Sequence, residues 1–227
     1  MPYPYQAPAS QIPPVSTSYH SWRPAAVNSS HYYTPHPVFW YSDGSIVFRI
    51  ENVGYKVHRH FFERHSVFFR DLLAYPIYTV TSASPQVIYL PDVKKVDFER
   101  LLVIFYPSNL VDPELFTVEE WTSILTLSDK WNFAQLKTLA TRELGYITTT
   151  IEKIALAKKY NIGNPHWLLA AYRELCTRRY PLSLLEGEKL GLETVIKIWE
   201  VQHELTMGTS NWGRSVDIVI QDKFGLL

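Results

Sequence analysis

The early strand-like runs of this chain end near Leu90, and that restricts the folds open to it. Before that point, Ser45-Ile46-Val47-Phe48-Arg49-Ile50 and Tyr55-Lys56-Val57 carry β-branched and aromatic residues in strand-like runs. Glu51 to Gly54 supplies the turn of a hairpin, and Gln86 to Leu90 reads as a third strand. After Leu90, apolar residues recur every three or four positions as far as Leu205. A parallel α/β sheet needs strands alternating with helices along the whole chain, so a few early strands followed only by helices predict an α+β fold.

The helices can be placed from their caps and faces. Arg59 to His65 and Ser66 to Leu73 form two stubby helices bearing Phe61, Phe62, Phe68 and Phe69, with Ser66 as the N-cap of the second. Asp97 is expected to cap a helix that buries Phe98, Leu101, Leu102 and Phe105. Thr117-Val118-Glu119-Glu120 is a capping box, and Trp121, Ile124 and Leu125 face inward behind it. The stretch Trp131 to Leu144 continues and is expected to stop at Gly145 as a left-handed cap. Three further helices follow, Thr150 to Tyr160, Pro165 to Arg178 and Leu192 to Leu205, with Pro181 to Gly191 as a spacer. Val216 to Ile220 reads as an edge strand or a sticky patch in a tail. The division predicted is a Pro/Tyr-rich disordered tail over 1–37, a first domain over 38–145, a helical extension packed on it over 146–205, and a terminal segment over 206–227.

Composition removes several function classes. Lys plus Arg and Asp plus Glu both number 22, and a pI near 7.1 offers no bulk cationic excess for nucleic acid. The single cysteine, Cys176, excludes an internal disulfide and a cysteine cage for zinc. No apolar run reaches membrane-spanning length and the first ten residues do not read as a secretory signal, so an intracellular protein of the cytoplasm or nucleus is expected. Eight of the fifteen prolines fall in residues 1–37, where apolar residues show no period.

Candidate chemistry is sparse. His58, His60 and His65 are the densest possible metal ligands, but His60 points away from the other two on a helix, and Arg59 and Arg64 oppose a dication there. Cys176 has arginines nearby in sequence but no His/Asp pair, and it lies on an apolar helical face. No phosphate loop, dinucleotide fingerprint, nucleophile elbow or metalloprotease motif occurs. Lys153, Lys158, Lys159, Arg173, Arg178 and Arg179 make the extension locally basic, and a nucleic-acid-associated regulator is the reading they would support. Glutamates interleave with them, so a solvated face accounts for the pattern better. The expectation is a non-catalytic chain with no cofactor, no metal and no small-molecule substrate.

Several segments carry a resemblance. The runs Phe39-Trp40-Tyr41-Ser42-Asp43-Gly44-Ser45 and Gly54-Tyr55-Lys56-Val57-His58-Arg59-His60-Phe61-Phe62, with Tyr89-Leu90-Pro91-Asp92-Val93 and Leu101 to Tyr106, closely resemble the BTB/POZ domain. Trp121 to Phe133, Trp167 to Tyr172 and Glu186 to Glu193 resemble the form abundant in mushroom-forming fungi. The resemblance implies a helical cluster flanked by a small mixed sheet, used for self-association, as a homodimer, or for docking a scaffold protein. One variant of that role is a substrate adaptor for a cullin-type ubiquitin ligase. Relatives that bind corepressors carry an Asp where this chain has Ser45, paired with the basic position matched here by Arg59. A serine cannot neutralise a guanidinium, so that charged groove is expected to be lost or rebuilt with Asp43. Asp43, Ser45, His58, Arg59, Phe61, Phe62 and His65 are the candidate interaction or groove residues. Little strand exchange is expected, because Pro35 and Pro37 remove ladder donors where an exchanged strand would lie. Four phenylalanines on two short helices also predict an aromatic surplus that a second chain or the extension would cover.

Overall fold

A computed structural model describes residues 33–74, 85–109, 114–163, 165–207 and 215–226. The expected tail as far as residue 32, the loop at 75–84 and the stretch 208–214 lie outside the described residues. Ordered structure begins earlier than residue 38, with strand β1 over Thr34–Trp40. The hairpin is present as β2, Ile46–Ile50, and β3, Val53–Val57, paired antiparallel with Phe48 opposite Tyr55. Helices α1, Arg59–His65, and α2, Val67–Ala74, come next, and β4, Gln86–Tyr89, then pairs parallel with β2. The sheet order is β1-β3-β2-β4, a small mixed sheet of four strands.

Strand β1 corrects the expectation that residues 34–37 belong to a tail. It runs parallel to β3, and its register is irregular between Pro35 and Trp40. An edge strand tolerates proline because one side of it needs no donors. His36 supplies part of what the ladder lacks: its Nδ1 accepts the amides of Val38 (3.2 Å) and Phe39 (3.0 Å). The ring stacks on Phe39 and Tyr55, and its Nε2 lies 3.4 Å from Glu99 Oε1, to which Tyr55 also donates. Gly54 is required opposite this strand, since a Cβ there would stand 2.3 Å from the Tyr33 ring.

The remaining helices are α3, Lys95–Phe105; α4, Val118–Lys130; α5, Ala134–Ile147; α6, Thr150–Lys159; α7, Pro165–Thr177; α8, Leu184–Leu190; α9, Leu192–Met207; and α10, Val216–Phe224. Ser66 does accept the Phe69 amide (3.0 Å), and its hydroxyl proton goes to the Trp131 carbonyl (2.6 Å), tying α2 to the end of α4. The capping box at Thr117 and Glu120 is formed, and equivalent boxes at Thr149 with Glu152 and at Ser183 with Glu186 open α6 and α8. Asp97 is not a cap. The helix starts two residues before it, and its carboxylate accepts from Ser123 (2.6 Å), linking α3 to α4. Gly145 is not a cap either, for α5 runs on to Ile147. A Cβ at Gly145 would stand 3.0 Å from Trp167 Nε1, so the glycine lets α7 approach α5.

Two segments expected to lack helix are helical. The Pro181 to Gly191 spacer contains α8. The run Val216 to Ile220 is the first half of α10, neither edge strand nor tail, because Val216, Val219 and Ile220 share a helical face. Asp217, which interrupts the run as a strand, ion-pairs with Arg173 of α7.

Two apolar cores result. The first joins the sheet to α1–α5 through Phe48, Phe62, Phe69, Phe98, Trp131 and Phe133. The second, among α6, α7, α9 and α10, is built on Ile154, Leu175, Ile198, Val201 and Ile220. Helix α6 serves both: Ile151 and Ile154 face the second core, while Ala157 and the following Tyr160 face the first. The expected aromatic surplus is absorbed within the first core. Phe62 and Phe69 are fully buried, Phe61 and Phe68 half-buried, and the cover comes from Phe98, Phe105, Trp131 and Phe133. Neither the extension nor a second chain is needed for it.

Candidate functional site

The residues singled out from sequence converge at the corner where β3 enters α1. His58 stands at that corner with an extended backbone. Its amide donates to Tyr106 Oη (2.9 Å), and its Nδ1 lies 3.0 Å from the same oxygen. Since the phenol oxygen already accepts from the amide, its own proton points to Nδ1. The ring proton then sits on Nε2 and faces Asp43 Oδ2 at 3.1 Å. Burial pushes the Tyr106 phenol up to about 12, which keeps it a donor. The hydrogen bond from His58, with a backbone contact and the nearby charge of Lys56, holds the Asp43 carboxyl below its usual range. Tyr41 stacks on Tyr106 at 4.8 Å between ring centres and leans on His58.

Ser45 performs a task its sequence position did not reveal. Its Oγ accepts the amide of Arg59 (3.1 Å), one of the amides left unpaired at the start of α1. Arg59 turns away from Asp43. Its guanidinium donates to Glu63 (2.6 Å), one helical turn on, and to the Leu73 carbonyl (3.0 Å). The charged groove is therefore not rebuilt with Asp43: the acid pairs with His58, and the arginine is neutralised inside its own helix.

The other candidates divide. Phe61 is half-buried, stacked on Phe105 at 5.6 Å and edge-on to Tyr106 at 5.2 Å. His65 Nδ1 meets Gln135 Oε1 at 3.1 Å beside Phe105. Phe62 is fully buried, with Phe48, Phe69 and Phe98 around it, and is a core residue rather than a docking one. Tyr41 and Tyr106 were not singled out. Both lie within the aromatic runs that carry the resemblance, but only the folded corner shows that they organise His58.

Among the described residues no three His, Cys, Asp or Glu side chains are grouped as a metal would need. Burial pushes the Cys176 thiol up to about 12, which makes it a poor nucleophile. Within the basic extension, Lys158 is bonded to Thr194 and the Leu190 carbonyl, Arg173 to Asp217, and Arg178 to Glu186. Arg173 and Arg178 are thus each paired with a carboxylate, and the face is less basic than its sequence reads. No described helix is long and apolar enough to cross a membrane.

Tyr41, His58, Phe61 and Tyr106 are all half-buried at the corner where the mixed sheet leads into α1. Residues 41–147 match the family model of the BTB/POZ domain. Over that stretch the chain is a BTB/POZ domain, a protein–protein interaction module without catalytic activity of its own. The match begins after β1 and ends with α5, which leaves α6–α10 outside it. The chain matches no curated protein.

Proposed function

We propose that the domain associates with a second copy of itself through the corner formed by Asp43, His58, Arg59, Phe61 and His65, and that the helices after Ile147 form one folded body with it. The observation that carries this reading is the organised corner: Tyr106 fixes the His58 ring toward Asp43, and the half-buried Phe61 ring lies edge-on to Tyr106 beside it. Aromatic and histidine side chains already held in one geometry lose little freedom on binding, which is what a docking surface requires. A formal charge of zero leaves no long-range repulsion between copies. Docking to a scaffold protein, including a cullin-type one, is the adaptor form of the same reading. An intracellular place, in the cytoplasm or nucleus, goes with this reading.

Sedimentation velocity across a hundredfold range of concentration tests self-association. The sedimentation coefficient should rise with concentration, and Phe61→Ser with His58→Ala should lower that dependence while leaving the circular dichroism unchanged. A coefficient independent of concentration would sink the self-association reading.

A further inference from the structure

We propose that the groove between α5 and the α6–α7 corner docks an extended, acidic segment of a partner protein. The groove lies away from the His58 corner, and the proposal does not depend on self-association there.

One wall is a single face of α5. Ala134, Lys137, Thr138, Thr141, Arg142 and Tyr146 follow at helical spacing and all line the cavity. The opposite wall is the turn Asn161-Ile162-Gly163 together with Trp167. The space between them is about 710 Å³. From Ala134 to Tyr146 the helix rises about 18 Å, which is the length of roughly five residues of extended peptide. Gly145 forms the floor where Trp167 comes closest; any side chain there would meet the indole and narrow the cleft.

The lining has one sign of charge: Lys137 and Arg142 contribute cations, and no carboxylate lines the groove. Both cations are held in place from behind. Lys137 donates to Asp129 (2.6 Å) and to the Tyr160 carbonyl (2.8 Å), and Arg142 donates to Glu143 through Nε (2.9 Å) and Nη2 (2.7 Å). A lysine has three protons to give and an arginine five, so each keeps donors for an incoming carboxylate. Asp129 and Glu143 offset part of the charge, which suits a peptide carboxylate better than the continuous charge of a nucleic-acid backbone. The hydroxyl protons of Thr138 and Thr141 are spent on the carbonyls of Ala134 (3.0 Å) and Lys137 (2.8 Å). Their oxygens therefore face the groove as acceptors, the complement of peptide amides. Trp167 and the well-exposed Tyr146 add ring surface for one apolar side chain.

The test is titration of the ¹⁵N-labelled full chain with a capped peptide, Glu-Asp-Phe-Glu-Glu, and with its neutral counterpart, Gln-Asn-Phe-Gln-Gln. The indole N–H of Trp167 and the Nε–H of Arg142 report on the groove, and the amide of Arg59 serves as the remote control. The acidic peptide should shift the two groove signals saturably, leave the control in place, and bind more tightly than the neutral one. Arg142→Gln, at an exposed position that leaves the fold intact, should weaken the acidic peptide by about three- to fivefold and the neutral one hardly at all. Equal binding of the two peptides would overturn the proposal, as would no shift at Trp167 up to millimolar concentration. Tighter binding of an oligouridylate at the same signals would assign the groove to nucleic acid and equally overturn it.

Discussion

The two cores differ in what closes them. The first is dense in rings: Phe62 alone has Phe48, Phe69, Phe98, Phe105 and Phe133 around it. The second is mostly aliphatic, with one close ring stack, Tyr172 on Phe224, at 3.8 Å between centres. A sheet with helices over it encloses the first interior, whereas helices alone enclose the second. On the outside of α8 and α9, Leu184, Leu185, Leu192 and Trp199 are 79%, 72%, 75% and 61% exposed. Leu192, Ile196 and Trp199 fall on one face of α9, and His203 continues it, stacked on Trp199. The exposed apolar residues of the first region, among them Val38, Val67 and Phe116, are scattered over separate elements, whereas several of those in the second line one face of α9.

The largest blow to the first core should come from Phe62→Ala. It is expected to cost about 3–5 kcal/mol, read as a lower urea midpoint at unchanged slope. Ile198→Ala in the second core should cost about 2–4 kcal/mol and shift the same single transition, since α6 packs into both cores. If Ile198→Ala instead splits the transition and leaves the first region's near-ultraviolet signal untouched, the two cores are separate folding units. Ser66→Ala should cost about 1–3 kcal/mol, for it strips the buried Trp131 carbonyl and the Phe69 amide of a shared partner.

A smaller, titratable effect belongs to the second region. Arg178, with the capping contacts of Ser183, holds the Glu186 carboxyl down to about 2, below its ordinary 4.5. A carboxyl depressed on folding contributes stability that is fully present above the unfolded value and is lost as pH falls through the folded one. The chain should therefore lose stability between about pH 4.5 and 2 more steeply than Glu186→Gln does, measured by thermal melts along a pH series. The smallest effect sharpens the contrast most. Trp199→Ser, on the exposed face of α9, should change stability by no more than about 0.5 kcal/mol. A large loss would mean that this face is covered in solution.

Period and caps made most of the fold legible: the hairpin, β4, the box at Thr117 and the inward faces of α3–α5 follow from local spacing. Strand β1 did not, because two prolines hide its pattern and part of its bonding runs through the His36 ring instead of the ladder. The Gly145 and Asp97 assignments failed for a related reason. Each residue is a good local cap, but its observed role depends on Trp167 or Ser123, distant in sequence. At the site, His58 and Phe61 were visible as residues, while their organiser, Tyr106, is reached only once α3 folds across β3. The Arg59–Glu63 pair was local, at helical spacing, and was there to be read.

Helix α10 has a bearing on how the protein is made. The ring of Tyr172 in α7 gains its stacked neighbour only from Phe224, and Arg173 waits for Asp217. A ribosome adding about 5–20 residues per second needs about 3–10 s to travel the roughly fifty residues between those rings. Until Phe224 has emerged, the nascent α7 offers an uncovered face to whatever surrounds the emerging chain. The first core is complete in sequence by then, so a holdase acting on this protein would meet the later helices while the earlier region is already closed.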